Sequence, residues 1–248
     1  MSQLKWQFTT LVEAKWETPT VKTLVLDAPA WTGHKAGQHV DIRLTAEDGY
    51  QAQRSYSIAS APDDKNLSLT VERIEDGEVS PYLTDVLQTG ERLELRGPIG
   101  GYFVWNSDQK KNNSQPLLLI AGGSGFVPLM AMIRHRANVG DNTPTRVLYS
   151  ARSDEEIINR EELEELASKD SALEIIYTLT RKQPKHWKGY HRRIDRQMIG
   201  EVAWTMKDNP LAFICGPTAL VESAANLLQE IEYKSENIKT ERFGPTGG

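Results

Sequence analysis

The sequence predicts two domains of different class, an all-β domain followed by an α/β domain with a parallel sheet. The first hundred residues contain short strands between turn residues, and from residue 116 apolar runs alternate with helical patterns. Between them, residues 106–115 are polar and aperiodic, which indicates a linker. A chain of 248 residues with 39% hydrophobic residues is long enough for two domains of ordinary size.

The strands of the first domain are predicted at residues 21–26, 40–44, 67–71 and 93–95. In the second of these, Val40 and Ile42 alternate with the polar residues Asp41 and Arg43. Short strands punctuated by Gly, Pro and Asp are typical of a small barrel or sandwich. The strand pattern is predicted to stop after Gly97.

The second domain alternates buried strands with amphipathic helices. Apolar runs at 117–121, 147–149, 173–179 and 211–215 are separated by segments with helical spacing, such as 127–133 and 220–228. Uninterrupted apolar strands between such helices indicate a parallel sheet that is covered on both faces. Two capping boxes, Ser153 with Glu156 and Asn159 with Glu162, are predicted to start helices.

Charge and hydropathy exclude several functional classes. The net charge of −5, with basic residues dispersed along the chain, does not resemble a nucleic-acid footprint. No apolar run approaches the roughly 20 residues of a membrane helix, and the first residues do not form a secretory signal. We therefore expect neither a nucleic-acid partner nor a membrane span, and the expected compartment is the cytoplasm.

The numbers and spacing of the cysteines and histidines limit the metal and redox chemistry that this chain can carry out alone. Cys215 is the single cysteine, so this chain cannot form an internal disulfide or a four-thiolate cluster. The five histidines have no metal-ligand spacing. No metal site is expected, and any iron–sulfur centre would belong to a partner.

A glycine-rich segment, Gly122-Gly123-Ser124-Gly125, lies where an apolar strand gives way to a helix. Glycines there allow a sharp turn, and the first helical N–H groups can bind a pyrophosphate. Pro128 stands where the usual motif has its last glycine, so a purely structural turn is the alternative.

The next strand ends in Arg152 and Ser153, where an NAD site usually has an acidic residue. Arginine and serine suit a 2′-phosphate better than a ribose diol, which favours NADPH. The alternative is that Ser153 caps a helix and Arg152 is a solvated charge.

The segment Arg54-Ser55-Tyr56-Ser57 is predicted to follow a strand. Its guanidinium, ring and hydroxyl can clamp a phosphate, stack on a planar ring and hydrogen-bond a ring nitrogen. An ordinary exposed strand face is the alternative.

Five ordered motifs give the chain a family resemblance. They are RSYS at 54–57, VER at 71–73 with GEVS at 77–80, GPIG at 97–100, GGSGFVP at 122–128 and CGP at 215–217. Over nearly the whole chain, from about Phe8 to Phe243, the sequence resembles ferredoxin–NADP reductase-like flavoproteins.

The resemblance implies an antiparallel Greek-key barrel that binds FAD (residues 1–107) and an NAD(P)-binding α/β domain (residues 114–248). The flavin and the nicotinamide would meet at the domain interface. Hydride would pass from NADPH, in preference to NADH, to flavin N5, and electrons would go to a separate protein carrying an iron–sulfur cluster, a flavin or a haem. The alternatives are a flavin reductase or diaphorase for small molecules, and a non-catalytic electron-transfer subunit.

For FAD, the resemblance implies that Arg54 holds the pyrophosphate, Tyr56 packs on the flavin and Ser57 lies near N5. The segment 77–80 would offer N–H groups and a hydroxyl at a helix start, supported by Arg73. The remaining residues implied to bind the cofactor are Val71, Gly77, Val79 and Ser80.

For the nicotinamide nucleotide, the resemblance implies pyrophosphate contacts from Gly123, Ser124 and Gly125. Cys215, with Gly216 and Pro217, would place a small thiol near the nicotinamide, although cysteine also serves as a plain buried group.

The resemblance also implies which residues bind the 2′-phosphate and which lie at the edge of the flavin. Arg181 and Arg193 would bind the 2′-phosphate, Glu241 would assist proton movement and Phe243 would shield the flavin. The alternative is that Phe243 closes the core and Glu241 faces water. Relatives often continue into a cysteine-rich iron–sulfur domain, whereas this sequence stops at 244–248, so an external carrier is expected.

Overall fold

The computed structural model describes residues 4–107 and 115–243, which divide into two compact units. The first unit contains the described residues up to Asn106 together with Met130–His135, and the second contains the remaining described residues. The linker predicted at 106–115 lies mostly outside the described residues. The predicted bounds 1–107 and 114–248 stay a prediction.

Six antiparallel strands build the first unit: β1 (Gln7–Thr18), β2 (Val21–Asp27), β3 (His39–Thr45), β4 (Gln51–Ser57), β5 (Leu67–Glu72) and β6 (Arg92–Ile99). Their order is β4-β3-β6-β1-β2-β5, and a bridge from Ile58 to Leu69 joins the two edges. A helical turn, Tyr82–Val86, lies between β5 and β6. The predicted antiparallel Greek-key barrel is confirmed.

Alternation along the strands builds the barrel core. Val40, Ile42, Leu24, Leu26 and Leu69 are fully buried, as expected for the inward positions of strands with one solvated face. The sequence-based end of the last strand was wrong, because β6 continues through Gly97 and Pro98 to Ile99, where it still pairs with His39 of β3.

In the described chain from residue 115 onward there are five parallel strands and four α-helices: β7 (Leu117–Gly122), α1 (Phe126–Asn138), β8 (Thr145–Ala151), α2 (Arg160–Lys169), β9 (Leu173–Leu179), α3 (Arg196–Val202), β10 (Leu211–Pro217), α4 (Thr218–Glu230) and β11 (Ile238–Phe243). The strand order is β11-β10-β7-β8-β9, and every neighbouring pair is parallel. The predicted parallel-sheet domain is confirmed. From β7 the chain continues to β8 on one side, while β10 pairs on the other, so the topological switch point lies between β7 and β10.

The helix starts differ in detail from the predicted capping boxes. Helix α2 begins one residue after Asn159, but neither Asn159 nor Ser153 caps through its side chain. Ser153 Oγ donates instead to the Glu156 carboxylate over 3.4 Å, and Asn159 has a left-handed backbone with φ of 53°. Within the described residues, none of the helices is long and apolar enough to cross a bilayer.

Candidate functional site

Part of the inward face of β4 is not covered by the barrel's own core. Arg54 pairs with Ile42 and Tyr56 with Val40, and directly opposed residues share a face of the sheet. Ile42 and Val40 are fully buried, whereas the Arg54 side chain is 57% exposed and Tyr56 is half-buried. Residues 54–57 therefore lie within β4, not after a strand as predicted. Arg54 and Tyr56 line a surface that a ligand could cover.

Arg54 lies next to the loop at residues 77–80. Its Nη2 atom is 3.5 Å from Oε2 of Glu78, and the Tyr50 hydroxyl donates to Oε1 of the same carboxylate over 2.7 Å. Ser80 Oγ accepts from the Ile74 N–H at 3.0 Å, which leaves the hydroxyl proton for a second partner. The structure thus brings together the arginine and the loop that the sequence assigned to one pyrophosphate.

Space around Gly77 is narrow, since a Cβ atom there would lie 3.1 Å from both the Ile74 carbonyl oxygen and Ser80 Oγ. Arg73 supports the same region, because its Nε donates to Asp85 over 2.6 Å on the helical turn that follows. This hydrogen bond lowers the pKa of Asp85. The loop is therefore tightly turned and fixed at both ends.

Val71 and Val79 are buried in the barrel core, with 0% and 1% of their surface exposed. Their side chains face other core residues, so any contact with a ligand would come from the backbone. Their assignment to the flavin site stays a prediction.

Ser57 is the last residue of β4 and is only 5% exposed. Among the described residues, its hydroxyl oxygen has no hydrogen-bond partner. A buried polar group without a partner is costly, so this hydroxyl is suited to a ligand. Tyr56 keeps its proton, since burial raises its pKa to about 12. Because Tyr56 and Ser57 project to opposite faces, a planar ring that contacts both would lie across the end of the strand.

The glycine-rich loop of the second unit lies at the switch point. Gly123–Gly125 form a tight turn between β7 and α1, and Gly123 has φ of +54°. A Cβ atom on Gly125 would come within 2.3 Å of the Cys215 carbonyl oxygen at the end of β10. Gly216 has φ of +152° and lies against Gly122. Only glycines allow these two backbones to approach, and the result is a cradle at the carboxyl ends of β7 and β10.

Tyr149 fixes this cradle and was missed from the sequence. Its hydroxyl donates to the Gly123 carbonyl and accepts from the Ile158 N–H, both over 3.2 Å. Its ring stacks on Phe126 with 4.4 Å between centroids. A tyrosine in the apolar run 147–149 was the available signal, because a buried tyrosine hydroxyl needs a partner.

Cys215 and Glu241 are paired residues on β10 and β11. Cys215 is fully buried, and burial together with the nearby Glu241 carboxyl raises the pKa of the thiol. Burial also raises the pKa of Glu241 to about 7. The thiol therefore stays protonated, and the carboxyl group can gain or lose a proton near neutral pH.

Glu241 and Phe243 lie within β11. They share one face of it, and both are half-buried. Phe243 pairs with the exposed Pro217, the last residue of β10.

The raised pKa of Glu241 predicts a pH-dependent stability. The folded protein holds this proton between pH 4.5 and about 7, where the unfolded chain has lost it, so stability falls as pH rises through that window. Glu241→Gln should therefore increase the free energy of unfolding at pH 8 by on the order of 1–3 kcal/mol. The gain should disappear below pH 4.5. Urea unfolding at both pH values tests this, with the exposed Glu236→Gln as control. An equal gain in the free energy of unfolding at both pH values would contradict the raised pKa of Glu241.

Of the arginines assigned to the 2′-phosphate, Arg152 follows β8 and Arg181 follows β9, whereas Arg193 lies in the segment after Tyr190. The N–H groups of Arg181 and Lys182 donate to the Arg152 carbonyl over 2.9 and 3.0 Å. A bridge between Thr178 and Tyr190 folds the following segment back onto β9.

Arg152, Arg181 and Arg193 are exposed, and within the described residues their guanidinium groups have no carboxylate partner. Arg192, by contrast, donates to Asp195 over 2.5 Å. Arg193 is thus the available cation of that adjacent pair. Ser153 is buried, and its hydroxyl already contacts Glu156.

Comparison with known proteins identifies one nucleotide-binding domain in each half of the chain. Family models for the oxidoreductase FAD-binding domain and the oxidoreductase NAD-binding domain match residues 9–104 and 119–226. The chain is 33% identical to ferredoxin–NADP reductase B of Sorangium cellulosum, over 84% of this chain and 85% of that protein.

A second relative is longer than this chain. The glycine betaine monooxygenase reductase subunit of Pseudomonas aeruginosa is 30% identical over 95% of the chain, which spans only 63% of that relative.

A solved structure supports the fold. The FAD/NAD-binding domain of nitric oxide dioxygenase from Vibrio cholerae matches with a TM-score of 0.85 at 22% identity, over 96% of this chain and 99% of that one. With the two domain matches and the similarity to a reductase over most of both chains, the chain belongs to the ferredoxin–NADP reductase-like family of FAD-dependent oxidoreductases.

Proposed function

We propose that the chain is a reductase that uses FAD to pass electrons from NADPH to a separate protein acceptor. The observation that carries this proposal is the glycine cradle at the switch point, where Gly125 touches the backbone of Cys215. Open α/β sheets bind their ligands at this position. The uncovered face of β4 supplies a second site, suited to a flavin, in the other unit.

FAD supplies the redox chemistry when it is bound, since it accepts a hydride and can release electrons singly or in pairs. The protein binds the FAD and orients its flavin ring. Arg54 and the hydroxyl of Ser80 hold the pyrophosphate, Tyr56 packs on the ring, and Ser57 hydrogen-bonds its reactive edge.

The preference for NADPH over NADH rests on charge. A 2′-phosphate adds negative charge near the ends of β8 and β9. There Arg152 and Arg181, and Arg193 in the segment bridged to β9, present guanidinium groups without carboxylate partners in the described chain. The nearest carboxylates in sequence are already paired, Asp154 with Arg160 and Glu155 with Lys182.

Cys215, Glu241 and Phe243 have supporting roles in this proposal. The protonated thiol of Cys215 packs at the cradle, and Glu241 exchanges a proton near neutral pH, as its raised pKa allows. Phe243 shields the reacting ring from water. No strong acid–base pair is required, because alignment of the reactants dominates a hydride transfer.

We propose an acceptor protein that carries an iron–sulfur cluster, a flavin or a haem. The support comes from relatives that are named as a monooxygenase reductase subunit and a ferredoxin–NADP reductase. The test is NADPH oxidation with a plant-type ferredoxin, a flavodoxin or cytochrome b5, each compared with free FMN. Faster turnover with a protein carrier supports the proposal, whereas turnover with free FMN alone would favour a flavin reductase.

Replacing Ser57 with alanine should slow flavin reduction by NADPH about tenfold, because one hydrogen bond to the reacting ring is worth about 1–1.5 kcal/mol. Retention of FAD should be unchanged, since Arg54 and Tyr56 remain. Stopped-flow absorbance measures the rate. Ser55→Ala, on the same strand, removes a hydroxyl that donates to Asp41 over 2.7 Å and serves as the matched control. Equal effects of the two substitutions would contradict the role of Ser57.

A further inference from the structure

The uncovered surface of β4 continues beyond Arg54 to an aromatic ring. Tyr50 precedes β4, and the alternation of the strand places it on the face of Ala52 and Arg54. Tyr50 is 57% exposed, although its hydroxyl is fixed by the 2.7 Å hydrogen bond to Glu78. A large ring is therefore held in one orientation while most of its surface stays open.

The order of groups along β4 indicates what this ring could bind. Ser57 and Tyr56 lie at one end with the proposed flavin ring, and Arg54 marks the proposed pyrophosphate. Tyr50 lies on the opposite side of Arg54 from Tyr56, about 13 Å away along an extended strand. FAD has the same linear order of flavin, pyrophosphate and adenosine. The adenosine half would therefore run from Arg54 towards Tyr50.

Glu78 connects the two positions. One of its carboxylate oxygens accepts from Tyr50 and the other is 3.5 Å from Arg54, so a single side chain separates the ring from the phosphate-binding cation. Glu78 also places a negative charge beside that cation. FMN ends there in its phosphate, and it has no base to stack.

We propose that Tyr50, oriented by Glu78, is the stacking platform for the adenine of FAD, and that this stack makes the barrel selective for FAD over FMN. The inference rests on the proposed flavin site. Aromatic rings bind nucleobases through their faces, and this contact is available to FAD alone of the two flavins.

The test is calorimetric titration of the flavin-free full chain with FAD and with FMN. The parent protein should bind FAD more tightly. Tyr50→Ala should weaken FAD binding about tenfold or more, as expected for loss of a base–aromatic stack, and leave FMN binding unchanged. Tyr50→Phe keeps the ring and should retain most of the FAD affinity. Phe8→Ala removes a ring of similar exposure, 50%, from β1 and should change neither affinity.

Glu78→Gln keeps an acceptor for the tyrosine hydroxyl and removes a charge beside the phosphates of either flavin, so it should change the two affinities by similar factors. An equal loss of affinity for both flavins in Tyr50→Ala, or no loss of affinity for either, would overturn the inference. A parent chain that binds both flavins equally would overturn it too, while leaving the proposed function intact. A parent chain that binds neither flavin would instead defeat the proposed function on which the inference rests.

Discussion

Gly125→Ala is expected to abolish rapid reduction of the bound flavin by NADPH while FAD stays bound. A Cβ atom at this position would lie 2.3 Å from the Cys215 carbonyl oxygen, so the loop and β10 must separate by about 1 Å. A displacement of that size in a positioning element can lower the rate about 100-fold. Anaerobic stopped-flow mixing with NADPH measures the loss directly.

Two further variants keep this experiment interpretable. Gly200→Ala in α3 meets no atom within 4 Å and should behave like the parent. Tyr149→Phe removes the two hydrogen bonds that fix the Gly123 turn and should raise the Kd for NADPH without any steric clash. Parent-like reduction rates in Gly125→Ala would show that the cradle does not bind the dinucleotide.

Removing Arg152, Arg181 and Arg193 together is expected to reverse the preference for NADPH. Hydrogen bonds to charged groups are worth about 1.5–3 kcal/mol each, and solvent screening reduces this at exposed sites, so the KM for NADPH should rise about 100-fold. NADH lacks the 2′-phosphate, and its KM should hardly change. Steady-state kinetics with both nucleotides, in low and high salt, measure the effect.

Two arginine controls define the specificity of that result. Arg196 is exposed on α3 and lies 3.4 Å from Glu230, so Arg196→Ala should alter neither KM. Arg192→Ala tests the neighbouring cation, which Asp195 already engages, and should have a small effect. Equal increases in the KM for NADH and for NADPH in the triple variant would mean that these arginines do not bind the 2′-phosphate.

Much of the fold could be predicted because short runs of apolar residues, and the alternation of apolar with polar residues, indicate which side chains are buried. Apolar runs such as 117–121 became fully buried parallel strands, and the alternation around Ile42 gave an inward face. Strand β1 was missed, because its register shifts near Leu11 and Trp16 break the alternation that marks a strand. Helix α3 was missed because it spans only seven residues, although Asp195 caps it by accepting from the Met198 N–H.

The site was less predictable because its decisive contacts are long-range. The resemblance named Arg54 and Ser80, but Arg54 is joined to Tyr50 through Glu78, which accepts a hydrogen bond from Tyr50 over 28 positions of sequence. Tyr149 holds Gly123 across 26 positions, which spacing rules do not capture. The raised pKa of Glu241 also required the burial that only the folded β11 supplies.

The most direct test of the central claim is anaerobic reduction of the purified chain by reduced nicotinamide nucleotides. We expect a yellow protein whose long-wavelength flavin band is bleached much faster by NADPH than by NADH. Faster bleaching by NADH would contradict the role of the arginines at β8 and β9 and leave the reductase assignment in place. A colourless protein that cannot be reconstituted with FAD, or a bound flavin that neither nucleotide reduces, would contradict the account as a whole.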